Sequence, residues 1–142
     1  MFELSAAQKQ LQANACEFAK NEIAPSAAEV DRTEKYPWKN VELLTNQGFM
    51  GMTIPKKYGG KGMTYLDTIL VIEEIAKACG VTARIVVEAN MGAIGAVMKY
   101  GTEIQKKLAA KHVLSGDKPA ICITEPGAGS AATDMTLSLI HI

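Results

Sequence analysis

Residues 121–130 carry the side chains and glycines of this 142-residue chain that are best suited to hold a ligand. A short apolar run ends at Thr124, and a loop containing Gly127 and Gly129 follows and closes at Ser130. Because glycine lacks a Cβ, the backbone there can approach a flat or phosphorylated ligand closely. The hydroxyls of Thr124 and Ser130 can both donate and accept hydrogen bonds. The pattern predicts a ligand-binding loop at the end of a strand.

The glycine spacing alone fits more than one kind of loop. Gly127, Gly129 and Ala132 match the loose G-x-G-x-x-G/A pattern of a dinucleotide-binding turn, which requires a surrounding βαβ unit. Helices precede this strand instead, so that interpretation is disfavoured. No Lys-Ser or Lys-Thr pair follows the glycines, so the pattern is not a P-loop. An ordinary Gly-rich turn is the alternative that the spacing leaves open.

Five helical segments must position this loop. Apolar residues at helical spacing, with Gly or Pro stops, predict helices over residues 5–23, 37–46, 64–79, 81–100 and 102–114. Pro25 is expected to end the first helix. Three of the helices begin with the polar spacing of a capping box. The boxes are Ser5 with Gln8, Thr64 with Asp67, and Thr102 with Gln105.

Two polar residues of the apolar segment 81–100, Arg84 and Asn90, are candidates for a functional role. A guanidinium among apolar residues needs an anionic partner or a route to water, so Arg84 is a candidate anion-binding residue. The alternative is an i,i+4 ion pair with Glu88 on an exposed helix face. Asn90 is either a core amide with all its hydrogen bonds made or a pocket residue.

The order of elements predicts two domains. Residues 1–116 form an all-α helical domain, and residues 117–136 begin a β-domain with a first strand over 119–124 and the ligand-binding loop. The last six residues, Leu-Ser-Leu-Ile-His-Ile at 137–142, match the translation of a common sequencing adapter. We therefore expect the native residues of this chain to stop near residue 136, which would make the chain a fragment of a longer protein. Native codons for these six residues at the source locus would contradict this.

Composition narrows the function classes. Fifteen basic and fifteen acidic residues cancel, and aromatic residues make up 6%, so the chain offers no support for a nucleic-acid surface. No membrane span and no metal site are expected. Cys16, Cys79 and Cys122 are too far apart for a CxxC pair and are predicted to be reduced, packing cysteines of a cytoplasmic protein.

Several motifs in the right order identify the sequence as a member of the acyl-CoA dehydrogenase family. Residues 124–130, Thr-Glu-Pro-Gly-Ala-Gly-Ser, resemble the flavin-binding signature of that family. Further similarity lies at residues 22–25, 31–38, 48–51, 54–55, 58–60 and 100–106. The resemblance covers residues 1 to about 136.

The resemblance implies an FAD-dependent enzyme that dehydrogenates acyl-CoA thioesters between the α and β carbons. It also implies a homo-tetramer, and an electron-transfer flavoprotein as a further partner. Ser130 would also contact the acyl-CoA, and the catalytic base would lie in a C-terminal domain, so no residue of this chain is assigned as catalytic. The residues implied to line the flavin are Ile121, Cys122, Ile123, Thr124, Glu125, Pro126, Gly127, Ala128, Gly129 and Ser130.

One departure from the family pattern points to a subgroup. The family usually has Asp directly after the position of Ser130, where this chain has Ala131. Residues 116–123 and 129–132, together with residues 84–85 and 92–96, resemble 3-sulfinopropionyl-CoA desulfinases, which release sulfite without net oxidation. In that subgroup an arginine at the position of Arg84 would hold the anionic sulfino group. The alternative from another class is a non-catalytic helical domain that mediates assembly.

Overall fold

The computed structural model describes residues 3–136, which form α-helices and no strand in that range. One π-helical turn, Ala19–Ile23, joins the first two helices, and two short 3-10 turns lie at Lys56–Tyr58 and Ala132–Asp134. The helices are α1 Ala6–Phe18, α2 Ala24–Thr33, α3 Trp38–Gln47, α4 Tyr65–Ala78, α5 Gly80–Asn90, α6 Ala93–Tyr100 and α7 Glu103–Leu114. The five predicted helical segments are all present, with two of them differing from the prediction in extent.

The prediction that Pro25 ends the first helix is wrong. In the π turn, the Ala24 N–H donates to the carbonyl oxygen of Ala19, five residues back. Pro25 then falls in the first turn of α2, where a helix needs no backbone donor and the fixed φ of proline suits the helix. The helical path therefore continues to Thr33, and Glu34 ends it in the left-handed conformation with φ 54°.

The apolar segment 81–100 is two helices rather than one. Gly92 lies between α5 and α6 with φ 60° and ψ −116°, a conformation that is costly for residues with a Cβ. By length and composition alone, Gly80–Tyr100 could cross a membrane. In this fold, apolar residues of the segment pack in the core, among them Ile85, Val86 and Ala89 of α5, which are buried.

The predicted capping boxes are confirmed. The side chains of Ser5, Thr64 and Thr102 accept from the backbone N–H three residues on, and the side chain at that position accepts from the cap backbone in return. The glycine stop expected after the helical segment 37–46 is also confirmed, because Gly48 caps α3 in the left-handed region with φ 73°. Local sequence signals therefore set these ends directly.

The core lies where α4 contacts both α1 and α5. A buried polar chain links three elements beside it, since the Asn40 amide donates to Thr82 Oγ1 at 2.9 Å and Thr82 donates to Cys79 Sγ at 3.2 Å. Ser26 of α2 donates to the other end of the Asn40 amide. The larger fully buried side chains include Ile23, Leu44, Met52, Ile54, Val71, Ile75, Val86, Ile94 and Val113.

The predicted strand over 119–124 does not form. The described residues show only an isolated antiparallel bridge between Glu125 and Ala128 in this region. A strand needs a neighbouring strand to share its hydrogen bonds, and residues 3–136 contain no other strand. Ile121 and Ile123 are consequently half exposed, and Cys122 is exposed, so the packing interpretation is wrong for that cysteine, whereas Cys79 is buried.

Candidate ligand-binding loop and the charge cluster beside it

The predicted ligand loop is built around a tight turn. Glu125 N–H donates to the Ala128 carbonyl at 3.2 Å, and Ala128 N–H donates back to the Glu125 carbonyl at 3.1 Å. Pro126 and Gly127 form the tip, where proline pre-sets a turn φ. Ala128 is buried, and the Glu125 carboxylate accepts from both the backbone N–H and the hydroxyl of Thr136. The signature residues therefore share one small folded-back loop.

The outer side of this loop is open. A Cβ added at Gly127 or Gly129 would meet no heavy atom within 4 Å. Thr124 and Ser130, which supply the predicted hydroxyls, are exposed. A flat group could approach the backbone here without displacing protein atoms.

Two contacts attach the start of the loop segment to α5 and to the α5–α6 junction. A Cβ built on Gly92 would lie 3.2 Å from Ile121 Cδ1, so the isoleucine side chain rests over that glycine. Three residues earlier in the chain, Lys118 Nζ forms an ion pair with Glu88 Oε2 on α5. The helix break at Gly92 thus makes room for the apolar residue that leads into the loop.

Arg84 lies one turn before Glu88 on α5 and is largely exposed. Its Nε donates to Glu88 Oε1 at 2.8 Å, while 72% of the side chain is accessible to solvent. The i,i+4 pair considered from sequence is therefore present. The exposure also leaves the guanidinium open to a further anion.

Glu88 holds two cations at once. The hydrogen bond from Lys118 and then that from Arg84 lower the pKa of Glu88 below its ordinary value, against a smaller opposing effect of burial. Lys118 Nζ also lies 5.8 Å from the centre of the Tyr36 ring. Burial raises the pKa of Tyr36, and the nearby Lys118 charge opposes that rise. The phenol stays neutral near pH 7.

Sequence reasoning missed Lys118. It follows Asp117 in a segment that reads as a solvated turn, and it lies 30 residues from its partner Glu88. No local spacing links two residues so far apart, whereas Arg84 and Glu88 are visible as an i,i+4 pair. Only the way segment 117–121 lies against α5 brings the three charges together.

Asn90 belongs to the core and not to a pocket. Its amide donates to the carbonyl oxygens of Phe49 and Val86, each at 2.8 Å, and its side chain is fully buried. Thr53 donates its hydroxyl to the Asn90 carbonyl at 2.6 Å and its backbone N–H to the amide oxygen. The core-amide interpretation is confirmed.

Comparisons with known proteins assign the helical part of this chain to a family. The model of the acyl-CoA dehydrogenase N-terminal domain matches residues 5–117. A 3-sulfinopropanoyl-CoA desulfinase of Variovorax paradoxus is 63% identical over 136 residues, which cover 96% of this chain and 34% of that protein. The chain thus spans about a third of the length of the curated relatives it matches.

Solved structures show the same fold. The butyryl-CoA dehydrogenase of Megasphaera elsdenii superimposes with a TM-score of 0.80 at 30% identity, over 94% of this chain and 36% of that one. An acyl-CoA dehydrogenase of Bacillus anthracis complexed with FAD gives a TM-score of 0.78 at 27% identity, over 94% of this chain and 23% of that one. The chain therefore belongs to the acyl-CoA dehydrogenase family and contains the N-terminal helical domain of that family.

Proposed function

We propose that the full-length protein is an FAD-dependent enzyme that acts on acyl-CoA thioesters and releases sulfite from 3-sulfinopropanoyl-CoA. The observation that carries the choice of reaction is the 63% identity to a 3-sulfinopropanoyl-CoA desulfinase, against 30% to a structurally similar butyryl-CoA dehydrogenase. Ala131, where the dehydrogenase pattern has Asp, supports the same choice.

The loop of residues 121–130 fits a role in holding the flavin. Open space above Gly127 and Gly129 would admit a planar ring against the backbone, and the exposed hydroxyl of Thr124 can bond to its polar edge. Bound FAD would supply the redox-active ring system, while the loop supplies position and hydrogen bonds. Ser130, at the end of the loop, is proposed to contact the acyl-CoA.

Arg84 is proposed to bind the sulfino group. An arginine offers a planar fork of donors that matches a two-oxygen anion, and this one is exposed on α5. Its role would be to hold the β-substituent of the acyl chain while the bond to sulfur breaks.

The desulfination needs no external electron acceptor. The carbon–sulfur bond is replaced by a carbon–hydrogen bond, and the oxygen of one water joins the departing sulfur to give sulfite. The carbon atom gains the two electrons that sulfur loses, so the substrate and one water molecule account for all atoms and electrons of the reaction.

The second candidate is α,β-dehydrogenation of a neutral acyl-CoA, which the structural likeness to butyryl-CoA dehydrogenase favours. That reaction removes two electrons from the substrate and requires an acceptor such as an electron-transfer flavoprotein. The two candidates therefore differ in whether turnover depends on an added acceptor.

The reaction is tested with the purified full-length protein. We expect flavin absorbance to co-purify with it and sulfite to be released from 3-sulfinopropanoyl-CoA without an added acceptor. Reduction of a dye by butanoyl-CoA, with no sulfite release, would support the dehydrogenase instead. Absence of flavin would support a non-catalytic assembly domain.

The role of Arg84 is tested by Arg84→Ala and Arg84→Lys in the full-length enzyme. Losing a charge-assisted bond of about 1.5–3 kcal/mol should lower kcat/KM for the anionic acyl-CoA roughly tenfold to a hundredfold. A neutral acyl-CoA should be affected less, and Arg32→Ala, which changes the other arginine of this chain, serves as the control. Equal losses with both substrates would contradict the anion-binding role.

We further propose that the full-length protein is a cytoplasmic homo-tetramer. The three free cysteines, Cys16, Cys79 and Cys122, support a reducing compartment, and the family resemblance supports the tetramer. Light scattering of the purified full-length protein and cell fractionation test the two statements separately.

A further inference from the structure

Arg84, Glu88 and Lys118 form one connected charge cluster, which we call the α5 charge triad. Glu88 receives Arg84 Nε on one carboxylate oxygen and Lys118 Nζ on the other. Glu88 and Lys118 are partly buried, with 25% and 28% of their side chains accessible, whereas Arg84 is 72% accessible. The ion pair of Glu88 and Lys118 is thus more buried than the Arg84 guanidinium, which is open to solvent.

The hydrogen bond from Arg84 to Glu88 leaves the two terminal amino groups of the guanidinium free. Within residues 3–136, Nε is the guanidinium nitrogen that makes a hydrogen bond, and that bond goes to Glu88. The two terminal amino groups remain available for a two-oxygen anion. Glu88 therefore orients the guanidinium without occupying the nitrogens that would meet a ligand.

The charge of the triad depends on Lys118. Arg84 and Glu88 alone sum to zero, and the Lys118 ammonium brings the sum to +1. Because Glu88 and Lys118 are partly buried, their charges are screened less than those of fully exposed groups. The Tyr36 ring lies 5.8 Å from Lys118 Nζ, and Asp117 precedes the lysine in the chain.

We propose that Lys118 is a positioning residue that neutralises Glu88, so that Arg84 presents a net positive charge and selects anionic over neutral acyl groups. This inference rests on the proposed function of Arg84 and extends it to two residues that need not touch the substrate. Lys118 acts by cancelling the negative charge of Glu88, and Glu88 acts by fixing the direction of the guanidinium.

The test is a charge cycle in the full-length flavoprotein. The equilibrium binding of succinyl-CoA, which ends in a carboxylate, is compared with that of pentanoyl-CoA, a neutral molecule of similar length, by the perturbation of flavin absorbance. Lys118→Met should lower the preference for succinyl-CoA about threefold to tenfold, and Glu88→Gln should raise it, since these changes shift the triad by one charge in opposite directions.

The double variant provides the decisive comparison. Glu88→Gln with Lys118→Met restores a sum of +1, so its preference should return to within about twofold of the wild type. Lys118→Arg keeps the charge and should also retain the preference. A purely structural role for Lys118 would weaken both ligands alike and would not be rescued by Glu88→Gln, and that result would overturn the proposal.

A further control separates the two levels of inference. If Arg84→Met leaves the preference unchanged, the anion-binding role of Arg84 is wrong and the charge triad has no ligand to act on. If Arg84→Met abolishes the preference while Lys118→Met and Glu88→Gln do not alter it, the role of Arg84 stands and the role of Lys118 is wrong.

Discussion

Asn90 holds the end of α5 to the turns that follow α3 through both ends of its amide. It bonds to the Phe49 and Val86 carbonyls and to the backbone N–H of Thr53. Buried backbone groups of this kind cost free energy when they lose their partners. The Asn90 side chain, together with the bond from the Thr53 hydroxyl to the Asn90 carbonyl, therefore ties these two segments to each other.

Replacing Asn90 by Ala should lower the free energy of unfolding of the 142-residue chain by about 2–4 kcal/mol, because the buried Phe49 carbonyl and the Thr53 N–H would lose the Asn90 side chain as a partner. Urea unfolding followed by circular dichroism measures the change. Asn46→Ala, at an exposed position near the end of α3, is the matched control and should change the free energy by less than about 0.5 kcal/mol. Equal effects at the two positions would show that the Asn90 bonds contribute little.

Asp67 makes the stability of the α1–α4 contact depend on pH. Hydrogen bonds from the Gln8 side chain, the Thr64 hydroxyl and the Thr64 backbone lower the pKa of Asp67 in the folded chain. A lowered folded pKa contributes stability that is present above the unfolded pKa and is lost as pH falls through the folded one.

Asp67→Asn should therefore flatten the acid side of the stability profile. The wild type should lose more free energy of unfolding than the variant between about pH 5 and pH 3, because Asn can still accept the capping bonds but does not titrate. Urea unfolding at both pH values measures this, with Asp31→Asn on the exposed face of α2 as control. An acid loss in Asp67→Asn as large as that of the wild type would contradict the assignment.

At the scale of elements, the break between α5 and α6 depends on one glycine. Gly92 has φ 60° and ψ −116°, and it lies under the side chain of Ile121. Both the backbone angle and the close approach disfavour a side chain at this position. Gly92 therefore affects both the direction in which α6 begins and the position of Ile121, which leads into the ligand loop.

Gly92→Ala should destabilise the chain by about 1–3 kcal/mol through backbone strain, with some added cost from the contact with Ile121. Gly80→Ala is the matched control at the start of α5, since a Cβ there meets nothing within 4 Å and φ is not positive. That control should leave stability unchanged or raise it by up to about 1 kcal/mol. The thermal unfolding midpoint compares the two variants, and similar shifts would refute the strain at Gly92.

The sequence predicted the elements whose ends are set locally. The capping boxes at Thr64 and Thr102, and the stop at Gly48, depend on residues within one turn of the helix end. The roles of Pro25 and Gly92 could not be predicted from local sequence. Proline is found both after the end of a helix and in its first turn, and an isolated glycine is tolerated within a helix. In the candidate site, Arg84 was found by its apolar context, but Lys118 depends on tertiary contact.

At the scale of the whole molecule, this chain is about a third of the length of its curated relatives. Its proposed flavin loop presents an open outer side around Gly127 and Gly129. A ligand bound to one surface alone loses translational freedom without a second set of contacts to compensate.

We therefore expect the 142-residue chain to purify without flavin and the full-length protein to purify with it. Absorbance near the flavin bands, normalised to protein, measures the difference, and titration of the shorter chain with FAD should show no saturable binding at micromolar concentration. Tight binding of FAD by the shorter chain would mean that the loop and helices hold the cofactor by themselves.

The π turn at Ala19–Ile23 also sets the rotational phase between α1 and α2. One residue corresponds to about 100° around a helix axis, so a turn closed by a bond to the fifth residue back places α2 out of phase with α1. Ala27 and Val30 of α2 lie against the core in the resulting register. Deleting one residue from this turn would restore a continuous α-helix and swing that apolar edge toward water. The number of residues in this turn is therefore constrained, and an insertion or deletion here should lower the folding stability of the 142-residue chain far more than one at the exposed tip around Gly127.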